Sequence, residues 1–260
     1  MALLEVRDVT VRYGGLVAVN AVSVQVHSGE IVGLIGPNGA GKTSLFEAIC
    51  GFVVPESGRV ELDGTDISAW PAHRRSRAGL GRTFQRLELF GHMTVLDNLV
   101  VAAEAKLLES GLAADVVGIH RADKEALALA EDLLDRLGLS RLGGRLAGEL
   151  PAGLGRLVEI GRALCTRPRL LLLDEPTAGL DETETKDLAR MLRKVVDSRG
   201  PAILLVEHDV AFVSELAGRV YVMEFGALIA EGTPDEIRRD PKVIEAYLGV
   251  EETRKHATPA

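Results

Sequence analysis

Basic charge, cysteine and long apolar runs are all scarce in this chain, and each scarcity removes a class of protein. Acidic residues outnumber basic ones by 38 to 30, a net charge of −8. A surface that grips nucleic-acid backbones needs the opposite balance, so no nucleic-acid partner is expected. The one basic cluster, His73-Arg74-Arg75-Ser76-Arg77, reads as a solvated face beside a turn. The two cysteines, Cys50 and Cys165, both fall in apolar helical patterns. They suit reduced core thiols in the cytoplasm better than a disulfide framework. No stretch approaches ~18 consecutive apolar residues, and the N-terminus lacks a signal-peptide pattern, so the chain is not expected to cross a membrane by itself.

What is present is a well-supplied core: 47% of the 260 residues are hydrophobic, enough for one large domain or a domain with a sizeable insertion. From Leu4 to Val26 apolar residues alternate with polar ones around a Gly14-Gly15 turn signal, which predicts half-buried antiparallel strands. Ile31 to Ile35, Leu170 to Leu173 and Ile203 to Val206 are short continuous apolar runs, the pattern of parallel strands covered on both faces. Between about Arg86 and Thr166 helical periodicity takes over, with Ala130, Leu133, Leu134 and Leu137 on one stripe ending at Gly138. This predicts a helical subdomain inserted into an α/β core. Residues Lys106 to His120 are apolar and glycine-containing without clean periodicity and receive no assignment.

A later helix carries Leu188, Met191, Leu192 and Val195 and stops at Gly200-Pro201. Arg219 to Glu231 then reads as a hairpin turning at Phe225-Gly226. Thr233-Pro234-Asp235-Glu236 has capping-box spacing, and Asp240-Pro241 repeats the start signal for a last short helix. The tail from Glu251 is expected to be disordered.

The chemistry is concentrated at Gly36-Pro37-Asn38-Gly39-Ala40-Gly41-Lys42-Thr43-Ser44, between an apolar strand and a helical pattern in which Leu45, Ala48, Ile49 and Phe52 share a face. Glycines let backbone N–H groups converge on phosphate oxygens, Lys42 can reach the β and γ phosphates, and the Thr43 hydroxyl can ligate magnesium. Such a loop leaves kinases, GTPases, helicases and transport ATPases open. Asp174-Glu175 closes an apolar run, so both carboxylates emerge at a strand's carboxyl end beside the loop. Asp174 is placed to hold magnesium and Glu175 to orient or deprotonate the attacking water. His208 ends another buried run, where its imidazole can meet the γ-phosphate, and Gln85 stands where the core gives way to the helices and can sense magnesium-bound water.

These residues, in this order, resemble the ATP-binding subunit family of ABC transporters along essentially the whole chain. The resemblance implies an α/β fold: a P-loop NTPase core of the ABC ATPase type (residues 1–85 and 166–232) with an N-terminal antiparallel β-subdomain, an inserted α-helical subdomain (86–165) and C-terminal helices (233–250). In that family's terms Tyr13 matches the aromatic that stacks on adenine, residues 36–44 the Walker A loop, Gln85 the Q-loop and Asp174-Glu175 the end of Walker B. Ala178-Gly179-Leu180-Asp181 looks like the D-loop and His208 like the switch histidine. A finer resemblance, to the branched-chain amino acid uptake (LivG-type) branch, rests on residues 81–85, 89–90, 93–99 and 207–209 and on the ending from Gly232 to Gly249. It implies ATP and Mg2+ as cofactors, and membrane permease subunits, a second ATP-binding subunit and, indirectly, a solute-binding protein as partners. The expected place is peripheral, on the cytoplasmic face of the cell membrane. Subunits for urea or amide uptake and lipopolysaccharide export share parts of the pattern. A soluble non-transport ATPase of the same superfamily is the further alternative.

One segment departs from the family. Its signature, usually Leu-Ser-Gly-Gly-Gln, here reads Leu150-Pro151-Ala152-Gly153-Leu154. Pro151 removes a hydroxyl and a backbone N–H, and Leu154 removes an amide, while Gly153 keeps its N–H. Because the family's dimer is head to tail, this weakened segment is expected to face a partner's ATP, which favours a heterodimer over a homodimer.

Overall fold

The computed structural model describes residues 2–84, 86–109, 116–198 and 200–247. Strands β1 (Ala2–Tyr13) and β2 (Leu16–His27) pair antiparallel around the Gly14-Gly15 turn, and β4 (Ser57–Leu62) with β5 (Thr65–Asp66) completes a four-stranded sheet in the order β2-β1-β4-β5. The second sheet runs β10-β9-β3-β8-β7-β6. In it β3 (Ile31–Ile35), β6 (Leu80–Arg82), β7 (Leu170–Asp174), β8 (Ala202–Val206) and β9 (Arg219–Glu224) are mutually parallel, and β10 (Ala227–Gly232) closes an antiparallel hairpin.

Every residue of β3, β7 and β8 is buried, and the two-residue period of a strand divides them between two cores. Val32, Leu34, Leu170, Leu172, Leu204 and Val206 pack with the antiparallel sheet and with helix α1 (Lys42–Cys50). Ile31, Ile35, Leu171, Leu173, Ile203 and Leu205 pack against the helices on the other side. This two-faced burial explains the continuous apolar runs and leaves the strands' carboxyl ends as the place where polar residues emerge together.

Helices α3 (Val95–Glu109), α4 (Val116–Arg136) and α5 (Ala152–Cys165) pack on one another through residues including Leu99, Ala103, Ala130, Leu134 and Ile160. Gly161 permits the approach: a Cβ there would stand 2.8 Å from Leu137. Of the segment left without an assignment, residues 106–109 continue α3 and 116–120 open α4, so the missing periodicity reflects two helix ends, and residues 110–115 lie outside the described residues. The expected stripe on α6 (Glu182–Asp197) is buried, and α7 (Val210–Leu216) follows β8. Helix α8 (Pro234–Arg239) has the expected capping box and proline start, residues 241–247 form the last described helix, and the tail lies outside the described residues. Cys50 and Cys165 are buried thiols whose pKa values burial pushes up to about 12.

Two expectations need correction. The apolar spacing places Phe52 on the face of α1, but the helix ends at Cys50: Gly51 turns left-handed at φ 81°, and Phe52 is exposed. The basic cluster is not uniformly solvated. It opens as helix α2 (Ala72–Arg77), from which Arg75 is wholly buried and donates to the carbonyls of Ala48 (2.6 Å), Ile49 (2.8 Å), Trp70 (2.8 Å) and Ser68 (2.8 Å). It thus covers the carbonyl end of α1, which a neighbouring cation favours.

Candidate nucleotide site

The loop between β3 and α1 is threaded between two other strands, and its glycines are the reason it fits. At Gly36 (φ 150°) a Cβ would lie 2.1 Å from the Met223 carbonyl, and at Gly41 (φ 98°) 2.2 Å from that of Ala18. Lys42 is buried, and its Nζ donates to the carbonyls of Gly36 (2.6 Å) and Pro37 (3.0 Å). Burial lowers its pKa, opposed by the nearby carboxylates of Glu175, Asp174 and Glu207. A cavity of about 850 Å³ opens over this loop. It is lined by Asn38, Gly39, Ala40, Gly41, Lys42, Thr43 and Ser44, by Glu175 and His208 from neighbouring strand ends, and by Tyr13, Leu16, Val17, Ala18, Phe225 and Gly226.

Asp174 ends β7 and is buried; its pKa is raised by that burial and lowered by Arg82, whose Nη2 is 3.6 Å from Oδ2. Arg82 itself lies under the rings of Phe46, Phe52 and Phe84 at 5.3, 5.0 and 5.0 Å. Glu175 takes a left-handed φ of 45°, and its N–H donates to the Val206 carbonyl at 2.9 Å, prolonging the β7–β8 ladder by one bond. Left-handed backbone at a non-glycine residue is unfavourable and persists where surrounding structure imposes it, as beside a binding cavity. Tyr13 is half exposed at the rim, its hydroxyl donating to Glu47 Oε2 at 3.2 Å.

Glu207, given no role by its sequence pattern, is central to the site. Its carboxylate is wholly buried and accepts from the Thr177 N–H (2.9 Å) and hydroxyl (2.5 Å), the His208 N–H (3.0 Å) and the Asp209 N–H (3.4 Å). It also stands 3.6 Å from His208 Nδ1. A charged residue directly after the five buried apolar residues of β8 is the available signal. Gln85 lies outside the described residues, but its neighbour Phe84 is held by α5. The Phe84 N–H donates to Glu159 Oε1 (3.2 Å), its carbonyl accepts from Arg156 Nη1 (2.8 Å), and Arg156 and Glu159 form a buried pair at 2.6 Å.

Gly153 and Asp181 do not line the cavity; they stand together elsewhere. Asp181 caps α6 in a reciprocal capping box with Glu184, and a Cβ on Gly153 would meet Glu184 Oε1 at 2.4 Å. Pro151 occupies the N-cap position of α5 and supplies no side-chain cap. Among the described residues no helix is long and apolar enough to cross a membrane, and no cluster of three or more His, Cys, Asp or Glu side chains forms a metal site.

A family pattern described as ABC transporter matches residues 19–178, and one described as branched-chain amino acid ATP-binding cassette transporter matches residues 227–253. The chain is 42% identical over 249 residues to the high-affinity branched-chain amino acid transport ATP-binding protein BraF of Pseudomonas aeruginosa, covering 95% of this chain and 98% of that one. It is 42% identical over 250 residues to LivG of Escherichia coli, with the same coverage, and 37% identical to the lipopolysaccharide export system ATP-binding protein LptB of Escherichia coli over 96% of this chain and 98% of that one. Among solved structures, an ATP-binding cassette of an ABC transporter in its ADP conformation superposes with a TM-score of 0.83 at 33% identity, covering 96% of this chain and 99% of the other. With a phosphate loop, an Asp-Glu strand end and a histidine strand end arranged as described, this chain belongs to the ABC transporter family as an ATP-binding, ATP-hydrolysing subunit.

Proposed function

We propose that the chain binds magnesium ATP in the cavity over residues 36–44 and, paired with a second ATP-binding subunit, hydrolyses it to drive import of branched-chain amino acids or a related small solute. As an ABC ATPase subunit it works with membrane permease components; the proposal puts it on their cytoplasmic face, with a solute-binding protein acting through them. The observation that carries the reading is the meeting of Lys42, Glu175 and His208 at one cavity, from three separate elements. The names of the relatives above and the match over residues 227–253 support the cargo, and that match favours amino-acid uptake over lipopolysaccharide export.

In this mechanism the triphosphate draws Lys42 from the Gly36 and Pro37 carbonyls to the β and γ oxygens, and the loop N–H groups take the remaining charge. The donor chemistry fits magnesium: the Thr43 hydroxyl and the Asp174 carboxylate are hard oxygen ligands, few enough to leave the remaining positions to phosphate and water, and Asp174 is a buried carboxylate that a cation would stabilise. Bound there, magnesium would neutralise charge developing on the β and γ oxygens. Glu175 orients the attacking water and accepts its proton, His208 donates to the γ-phosphate, and Tyr13 stacks on the base. Gln85 is assigned to magnesium-bound water. Gly153 and Asp181, away from this cavity, are assigned to the ATP of the partner subunit.

In the assembled complex, Glu175→Gln should lower steady-state phosphate release by about 10²–10⁴-fold, the range of a general base, while magnesium ATP binding persists. Uptake of labelled leucine by cells carrying the variant should fall with it. Unchanged phosphate release would remove Glu175 from this role, and release abolished with leucine uptake intact would remove the cargo.

A further inference from the structure

The tip of the β9–β10 hairpin is built in a way that its own stability does not explain. Phe225 and Gly226 both take left-handed backbone, φ 45° and 82°, as the two central residues of a tight hairpin turn. Asparagine, aspartate and glycine enter that region readily; a phenylalanine there is strained. Burial gives nothing back, because Phe225 is 87% exposed, the most exposed large apolar side chain among the described residues.

The turn is nevertheless held in place. The Gly226 N–H donates to the Ala40 carbonyl of the phosphate loop (3.0 Å), and its own carbonyl accepts from the Asn20 N–H of β2 (2.8 Å). A Cβ at residue 226 would stand 2.9 Å from the Ala18 carbonyl, so the turn sits close against β2. The hairpin tip is therefore fastened to the floor of the nucleotide cavity, and Phe225 lines that cavity with Tyr13 and Leu16. The cavity is divided by polarity: an apolar rim of Tyr13, Leu16 and Phe225, and a floor of loop amides with Lys42. A ligand matching it is flat and apolar at one end and polyanionic at the other.

Resting on the nucleotide reading above, we propose that Phe225 is a second aromatic surface for the nucleobase, so that Tyr13 and Phe225 together hold the base while the loop holds the phosphates. The strained, exposed ring is retained for ligand contact, and its anchoring to Ala40 fixes the base relative to the triphosphate. Because every base has a π-face, the contact adds affinity with little choice among bases.

The test is calorimetric titration of the full-length chain and its Phe225→Asn variant with ATP in magnesium buffer and, separately, with inorganic tripolyphosphate. Asparagine suits the left-handed turn, so the variant should melt at the same temperature or higher. Its ATP affinity should fall at least about fivefold, the lower end of what one base–aromatic stack contributes, with tripolyphosphate affinity unchanged. Undiminished ATP affinity in the variant overturns the proposal. A parallel loss of tripolyphosphate also overturns it, since Phe225 would then act through the Ala40 contact on the loop. Failure of the unmodified chain to retain either ligand would sink the nucleotide reading itself, a separate outcome.

Discussion

At the scale of single residues, the informative side chain is a carboxylate buried, among the described residues, without a cationic partner at hydrogen-bond distance. Moving an isolated carboxylate into a protein interior costs several kcal/mol, so Glu207 is tolerable only because N–H and O–H groups surround it. Those donors come from two loops: Thr177, two residues past Glu175, and His208 with Asp209. One carboxylate thus ties the loop of the proposed water-orienting residue to the loop of the proposed γ-phosphate contact. In Glu207→Gln the amide NH2 would face donors and the charge would be lost. A hydrogen bond to a charged group contributes about 1.5–3 kcal/mol, so kcat for ATP hydrolysis should fall about 10- to 100-fold. The ATP concentration at half-maximal rate should stay near that of the unmodified protein, while the melting temperature should fall by a few degrees because buried donors lose their acceptor. If kcat stayed constant while the melting temperature dropped, Glu207 would be a folding residue only. The sequence offers a charged residue after an apolar run as a signal, but not the role, because the Thr177 donors lie 30 residues away and local periodicity reports only one element.

At the scale of elements, legibility followed locality. The phosphate loop was readable because its chemistry is fixed by contiguous spacing, and β3, β7 and β8 because burial on both faces leaves unbroken apolar runs. The end of α1 was not: Phe52 continues the apolar spacing, while the actual stop depends on Gly51 and on Arg75, 27 and 26 residues beyond the Ala48 and Ile49 carbonyls it covers. Arg75 makes a further prediction possible. Its guanidinium satisfies four carbonyls, and burial lowers its pKa, with no carboxylate among the described residues at hydrogen-bond distance. Arg75→Met would fill much of the volume yet leave those carbonyls in an interior without donors, at about 1–3 kcal/mol for each one left unsatisfied. Urea unfolding should show a loss of at least about 2 kcal/mol, with ATP affinity reduced because α1 begins at Lys42. A stability change within about 0.5 kcal/mol, the range of ordinary surface substitutions, would mean that water reaches these carbonyls.

At the scale of the whole molecule, the separation of Gly153 and Asp181 from the Lys42 cavity carries the argument. On the proposed function, one triphosphate cannot be served from two surfaces of one chain, so these two groups would meet a nucleotide only when another subunit brings one. The segment that would meet that nucleotide is the impaired one: Pro151 has no N–H and no hydroxyl, and α5 begins without a side-chain cap. Losing one charge-assisted contact there weakens the partner's site by about 1.5–3 kcal/mol, or about 10- to 100-fold. This chain's own ATP would instead face the partner's segment. The chain alone should therefore hydrolyse ATP slowly, since any self-pairing sets two weak segments against two good loops. Adding a second ATP-binding subunit with serine and glutamine in its signature should raise turnover by at least about tenfold. Pro151→Ser combined with Leu154→Gln, in this chain alone, should recover part of that gain with second-order dependence on protein concentration, as phosphate release across a dilution series would report. Fast, concentration-dependent hydrolysis by the unmodified chain without any partner would show that the proline segment suffices, and the asymmetric pairing would have to be abandoned.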